Sequence, residues 1–277
     1  MCSTFLLQEG ADVLLKDRKG NSCLHHACIS GKRDIVKVVV EKVPGMIDNS
    51  NFRGLTSTML CAETGQEEIL KFLVSYGADL SVKTFGGQTC LHVACASGHL
   101  STVQYLLSCE TIDISERTIL NTTPIMMAAE KGHSDVYHLL VLRGADVFLT
   151  DDEGKDCLMY ACQRGNMSIV RHLLSLKPIN INERDHNNMT PVTIAAKAGH
   201  SDVYHLLVSD GADVSLTDDV GSDCLMYACE GGNMSIVRHL LSLKPININE
   251  RDHDNMTPAM IAVEAGHSDV YHLLVSV

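Results

Sequence analysis

Pairs of large aliphatic residues recur along this chain at a spacing that predicts helices. Ile69 and Leu70 are followed by Leu73 and Val74, and Ile169 and Val170 by Leu173 and Leu174. Positions i, i+1, i+4 and i+5 share one side of a helix that turns every 3.6 residues, so each set predicts a short helix with one buried stripe. Ahead of each stripe lies a more uniformly apolar stretch opened by Thr, Ser or Asp: TCLHVA from Thr89, TPIMMA from Thr123, DCLMYA from Asp156 and TPVTIA from Thr190. Near-copies open at Ser22, Thr56, Asp223 and Thr257. Five residues before each copy a polar residue starts the unit: Asp17, Asn51, Thr84, Thr118, Asp151, Asp185, Asp218 and Asp252, always 33 or 34 apart. A fixed period of this length predicts stacked helix pairs, none of which can bury its apolar face alone.

The recurring residues fit that prediction. Pro124, Pro191 and Pro258 stand where the first helix begins, a position whose N–H has no intrahelical partner anyway. The Thr before each, or Asp156 and Asp223 in its place, can cap that helix. Gly31, Gly65, Gly98, Gly132, Gly165, Gly199, Gly232 and Gly266 stand where it ends, the usual place of a left-handed cap. Gly-Ala-Asp at Gly77, Gly144 and Gly211 turns the chain into the next hairpin.

The unit closely resembles the ankyrin repeat, whose usual pattern is D-x-x-G-x-T-P-L-H-x-A-A-x-x-G-H, then I-V-x-x-L-L, then G-A-D. DRKGNSCLHHACISG, from Asp17 to Gly31, follows it nearly position by position, as does TPVTIAAKAGH from Thr190 to His200. The resemblance runs from about Phe5 to Val277. It implies an all-α solenoid of helix-turn-helix units with short β-hairpin loops. It also implies a partial repeat over residues 1–16 and eight repeats over 17–277. Asn182 and Asn249 resemble sites modified by asparaginyl hydroxylases acting on this family, with Asn180 and Asn247 where an acid is usual.

A longer period overlies the short one. Asp152–Asp210 recurs as Asp219–Val277 with 49 of 59 residues identical at an offset of 67, which reads as duplication of a two-unit cassette. The chain stops at an apolar LLVSV with no polar closing repeat, so it is expected to be a piece of something longer, and a monomer unless that end associates.

Charge narrows the partner. The net charge of −12 divides unevenly: residues 1–149 hold 13 Lys/Arg against 16 Asp/Glu (13 − 16 = −3), and 150–277 hold 9 against 18 (9 − 18 = −9). Nucleic acid, which selects clustered basic surface, is not the expected ligand. A basic protein suits the second half. No apolar run approaches the roughly 18 residues that a membrane span needs, and MCSTFLLQEG lacks the basic start and apolar core of a signal peptide, so a cytoplasmic or nuclear protein is expected.

Eleven Cys include four pairs spaced by five: Cys23/Cys28, Cys90/Cys95, Cys157/Cys162 and Cys224/Cys229. That spacing separates two helical side chains by roughly 140°, poor for one metal, so the thiols are expected to act as small buried residues. Most of the 14 His recur with the repeat and are expected to bridge loops and neighbouring units; His186 and His253, at hairpin tips, are the exceptions. No nucleophile–base–acid set, phosphate-binding loop or metalloprotease motif stands out. No enzyme and no cofactor or metal are expected.

By resemblance, partners contact the hairpin tips and the concave, exposed side of the first helices. The first half presents Phe52, Arg53, Leu55, Phe85, Ile119 and Leu120 there; the second presents Asp152, Glu153, His186, Asp219, His253 and Asp254. Neighbouring exposed apolar residues mark interaction sites, and aromatics beside Arg are common anchors. The expected function is a non-catalytic protein-interaction scaffold, with a targeting segment of a larger effector, or an enzyme inhibitor, as the alternatives.

Overall fold

The computed structural model describes residues 12–177, 179–243 and 246–276. Among them, sixteen α-helices form eight pairs in chain order, numbered one to eight with the turn that precedes each. They fall into two compact bodies divided between Asp146 and Val147. The first body holds α1 (Cys23–Ile29), α2 (Arg33–Lys42), α3 (Ser57–Thr64), α4 (Glu67–Ser75), α5 (Cys90–Ser97), α6 (Leu100–Leu106), α7 (Pro124–Lys131) and α8 (Ser134–Leu142). The second holds α9 (Cys157–Arg164), α10 (Met167–Ser175), α11 (Pro191–Ala198), α12 (Ser201–Ser209), α13 (Cys224–Glu230), α14 (Met234–Ser242), α15 (Pro258–Glu264) and α16 (Ser268–Val275). The partial unit expected up to residue 16 lies outside the described residues as far as residue 11.

Within each body the first helix of a pair packs on the first helices of its neighbours and on its own second helix. That explains why the two helices differ in sequence. In α3 every residue from Ser57 to Ala62 is buried, whereas α4 buries only Ile69, Leu70 and Leu73. A helix covered on several sides needs small residues and apolar ones all round; a helix covered on one side needs a stripe. The paired cysteines other than the half-buried Cys23 occupy such buried positions, and burial pushes the thiols of Cys90, Cys224 and Cys229 up to about 12, which leaves them protonated and unreactive at neutral pH.

The caps stand where the sequence places them. Asp156 and Asp223 accept the N–H of Met159 and Met226, each at 2.9 Å. Three first helices open on Pro124, Pro191 and Pro258. The hairpins differ from expectation: among the described residues they are turns, with a lone bridge between Ser50 and Thr56 and no strand. The reason is a carboxylate, amide or hydroxyl at the first turn residue that takes over the backbone donors a strand would pair.

Two kinds of histidine tie neighbouring pairs together. The His99 and His133 Nε2–H groups donate to the carbonyls of Glu63 and Ala96, each at 3.1 Å. In the second body His200 and His267 reach Gln163 and Glu230 at 3.1 and 3.0 Å, and Asn233 reaches Ala196 with its side-chain amide at 3.0 Å. His92 is fully buried. Its Nε2–H donates to the Thr122 carbonyl at 3.2 Å, while Nδ1 accepts from the Thr89 N–H and hydroxyl at 3.2 and 2.8 Å. That pattern admits only the neutral ring, and burial lowers its pKa to about 4. His25 repeats the arrangement with Ser22 and the Leu55 carbonyl, and burial lowers it likewise.

Two outcomes follow from these contacts. A methyl at Gly98 (φ +76°) would lie 2.4 Å from His133 Nδ1, while one at Gly77 (φ +89°) would meet open space. Both Gly→Ala changes carry the left-handed penalty of about 1–2 kcal/mol, and Gly98→Ala should exceed Gly77→Ala in urea unfolding because it also displaces the histidine bridge. The second concerns pH. Between about 6.5 and about 4 the unfolded chain binds a proton on His92 that the folded chain refuses, so stability falls as pH falls through that window. Urea midpoints at pH 7, 5.5 and 4.5 should converge between wild type and His92→Gln as the pH drops.

Candidate functional site

Each turn is pinned from its first residue. The Asp17 carboxylate accepts the N–H groups of Lys19 and Asn21, both at 2.8 Å. Asp151 does the same for Glu153 and Lys155 at 2.9 Å, and Asp185 for Asn187 and Met189 at 2.9 and 2.8 Å. Asn51 serves with its amide oxygen, and Thr84 and Thr118 with a hydroxyl to the N–H four residues on. Asp and Asn make such turns because the side-chain oxygen reaches the N–H two residues ahead. The fourth turn residue is left-handed throughout: Gly20, Gly54, Gly87, Gly154 and Gly221, or Asn121, Asn188 and Asn255.

This geometry lays the tips side by side. The Phe52 N–H donates to the Lys19 carbonyl at 3.0 Å, and that of Ile119 to Gly86 at 3.1 Å. In the second body His186 bonds Glu153, Asp219 bonds Asn187, and His253 bonds Val220, at 2.8 to 3.0 Å. Glycine is required at the contact: a Cβ on Gly20 would lie 2.7 Å from the Phe52 nitrogen. These bonds link all four tips of the second body; in the first they join the first tip to the second and the third to the fourth, and the second and third tips pack closely, a Cβ on Gly54 lying 2.7 Å from the Phe85 nitrogen.

Along the row of the first body Phe52, Phe85, Ile119 and Leu120 are 65, 73, 68 and 60% exposed. The Phe52 ring rests over Gly20 of the preceding turn, not on its own hairpin. Arg53 is exposed, 3.8 Å from Glu63. Leu55 is a correction: it is 3% exposed, because the residue four after the brace turns inward and its carbonyl serves His25. In the second body Asp152, Glu153, His186, Asp219, His253 and Asp254 are all exposed. Glu153 pairs with Lys155 at 2.7 Å, and the Asn188 amide bonds the Asp219 carboxylate. Asn182 holds a turn, its amide oxygen accepting the Asp213 N–H at 2.9 Å.

Beside the tips, grooves open between consecutive first helices. One of about 470 Å³ is lined by Arg18, Lys19, Ile29, Phe52, Arg53 and Glu63, among others. The duplicated cassette builds another groove twice. The first copy, about 260 Å³, has Lys155, Gln163 and Lys197 around Met189, Ile194 and Ala198. The second, about 410 Å³, has Ser222, Glu230 and Glu264 at the matching places around Met256, Ile261 and Ala265, with Asp252 and Asp254 beside them. The floor is kept and the rim changes sign.

One brace is incomplete in a way the sequence does not advertise. The second oxygen of Asp17 receives His26 Nε2 at 2.9 Å, and those of Asp151 and Asp218 receive the hydroxyls of Tyr160 and Tyr227. The donor stands nine residues after the brace each time. At Asp185 that position is Ile194, and the oxygen is buried without a partner. A buried unsatisfied acceptor costs about 1–3 kcal/mol, so Ile194→Tyr should raise the urea midpoint, and Ile194→Phe, which lacks the hydroxyl, should not.

Among the described residues no helix is long and apolar enough to cross a membrane, and no three His, Cys, Asp or Glu side chains gather as a metal would need. A family model for ankyrin repeats, built of three copies, matches residues 2–84, 82–151, 125–218 and 211–277. The chain is 27% identical over 248 residues to the ankyrin repeat and KH domain-containing protein mask-1 of Caenorhabditis elegans, covering 88% of this chain and 9% of that protein. It is 28% identical over 182 residues to the NF-kappa-B inhibitor cactus of Drosophila melanogaster (54% and 36%). It is 28% identical over 192 residues to the target of rapamycin complex 2 subunit AVO2 of Saccharomyces cerevisiae (68% and 45%). The chain thus matches less than half the length of each of these relatives.

Proposed function

The chain belongs to the ankyrin-repeat family, with an all-α ankyrin solenoid fold, and we propose that it is a non-catalytic scaffold that docks partner proteins on its hairpin tips and adjoining first-helix grooves. On this reading the helix pairs are eight repeats starting near 17, 51, 84, 118, 151, 185, 218 and 252. The observation that carries the reading is the tip row of the first body. Four large apolar side chains stand more than half exposed on closely packed tips, where a solvated turn would carry polar residues. A soluble chain retains such a patch at a risk of aggregation, and an interaction site is the usual reason for it. The braces add a benefit: tips already held in place lose little freedom on binding.

The tips of the second body have another character. Asp152, Glu153, Asp219 and Asp254 would draw a basic partner by speeding encounter more than by strengthening the complex. Burial of the thiols fits a reducing compartment, the cytoplasm or nucleus. The inhibitor reading is the runner-up, favoured by the printed name of cactus, and would place the same tips over another protein's working surface.

The test is a pull-down from cytosol under reducing conditions, with Phe52→Ser/Phe85→Ser/Leu120→Ser beside wild type and folding checked by circular dichroism. At least one protein should be recovered by wild type and lost by the variant. Identical recoveries would reject the tip row as the docking surface.

A further inference from the structure

The residues around the first tips narrow what docks there. Arg18 and Lys19 are exposed and make no ion pair among the described residues, and neither has its charge answered by the adjacent Asp17. That carboxylate is occupied by two backbone N–H groups and by His26. Arg53 stands on the next tip, and among the described residues its guanidinium pairs only with Glu63, at 3.8 Å, the one acid of the groove lining. Three cations therefore surround a groove of about 470 Å³ whose lining includes Ile29, Phe52 and Leu60.

The row continues without charge at its tips. The turn after Thr84 reads Phe-Gly-Gly-Gln, and the one after Thr118 reads Ile-Leu-Asn. Lys83, beside the third turn, is already paired with Glu116 at 2.9 Å. Along the adjoining tips, cationic chemistry at the first two gives way to apolar chemistry at the next two. This sits in a chain whose net charge is −12, so the cationic end is not a by-product of a basic composition.

We propose that the tips of pairs one to four dock an acidic segment of a partner protein that also carries large apolar side chains, its carboxylates over Arg18, Lys19 and Arg53 and its apolar residues over Phe85, Ile119 and Leu120. The inference rests on the tip row being the docking surface. Guanidinium groups bind carboxylates through paired N–H donors, and exposed aromatics supply apolar anchors beside them. A phosphate backbone would find its cations gathered at one end of this row, with Lys83 paired to Glu116 and Arg117 turned onto the Asn121 carbonyl at the other, and its binding grows with the number of phosphates neutralised.

Selection of random 15-residue peptides displayed against the full chain tests it. The enriched pool should gain Asp and Glu together with Leu, Ile, Phe and Trp. A synthetic peptide from that pool should lose about tenfold in affinity on Arg18→Glu/Lys19→Glu, and by a similar factor on Phe85→Ser/Leu120→Ser, roughly 1.4 kcal/mol each. A basic or neutral pool overturns the proposal, as does no enrichment, or binding to phosphatidylserine vesicles in place of peptides. If charge reversal is silent while Phe85→Ser/Leu120→Ser abolishes binding, the docking surface stands and the acidic chemistry falls. If neither variant matters, both fall.

Discussion

The placing of this molecule's tips hangs on one local interaction: a side-chain oxygen at the start of each turn holding the backbone N–H four residues ahead and, in six of the eight turns, the one two residues ahead as well. Where the brace is Asp17, Asn51, Asp151, Asp185, Asp218 or Asp252, the same oxygen takes both donors. Fixing those groups closes the turn without a strand, sets where the first helix begins, and leaves the tip N–H free to bond the preceding tip. Remove the oxygen and two donors lose their partner at once, the one four residues ahead half-buried or buried, an asymmetry that makes such bonds more costly to break than their net worth suggests. The tips therefore behave less like loops than like a rigid edge.

Much of this was legible because the repeat multiplies the signal. A single Thr-Pro could open a helix anywhere; Thr123-Pro124, Thr190-Pro191 and Thr257-Pro258 at a shared register leave little choice, and the positive-φ glycines from Gly31 to Gly266 stand where a left-handed cap was expected. What the pattern hid lies between repeats or within a single turn. Leu55 looked like a tip residue because it is three positions from Phe52, yet the brace on Asn51 turns it inward. The β-hairpins that the resemblance implies are turns among the described residues, because the side-chain oxygen that opens each turn takes a donor a strand would pair. The unsatisfied oxygen of Asp185 depends on whether the ninth residue onward is Tyr or Ile, a detail that apolar periodicity treats as equivalent.

The duplicated cassette separates what packing demands from what it leaves open. Of the ten positions that differ between Asp152–Asp210 and Asp219–Val277, those at 155, 163 and 197 line a groove in one copy, and their counterparts line it in the other. The apolar floor, the braces and the second-helix stripes are unchanged. Packing and groove-rim chemistry are thus written in different residues of the same stretch of chain, and the second set can drift without disturbing the first.

The histidine bridge to the preceding carbonyl has a consequence of another kind. Its donor, its acceptor and the glycine over which the ring sits are the same at Gly65–His99, Gly98–His133, Gly165–His200 and Gly232–His267, and Asn233 substitutes over Gly199 with an amide. At Gly31 the neighbour is Gln66 instead, but in the duplicated half junctions one cassette apart match, as those of His200 and His267 do. Unequal recombination that adds or deletes a whole cassette leaves every new neighbour with a matching face, so the length of such a chain can change in one genetic event with no interface having to evolve afresh.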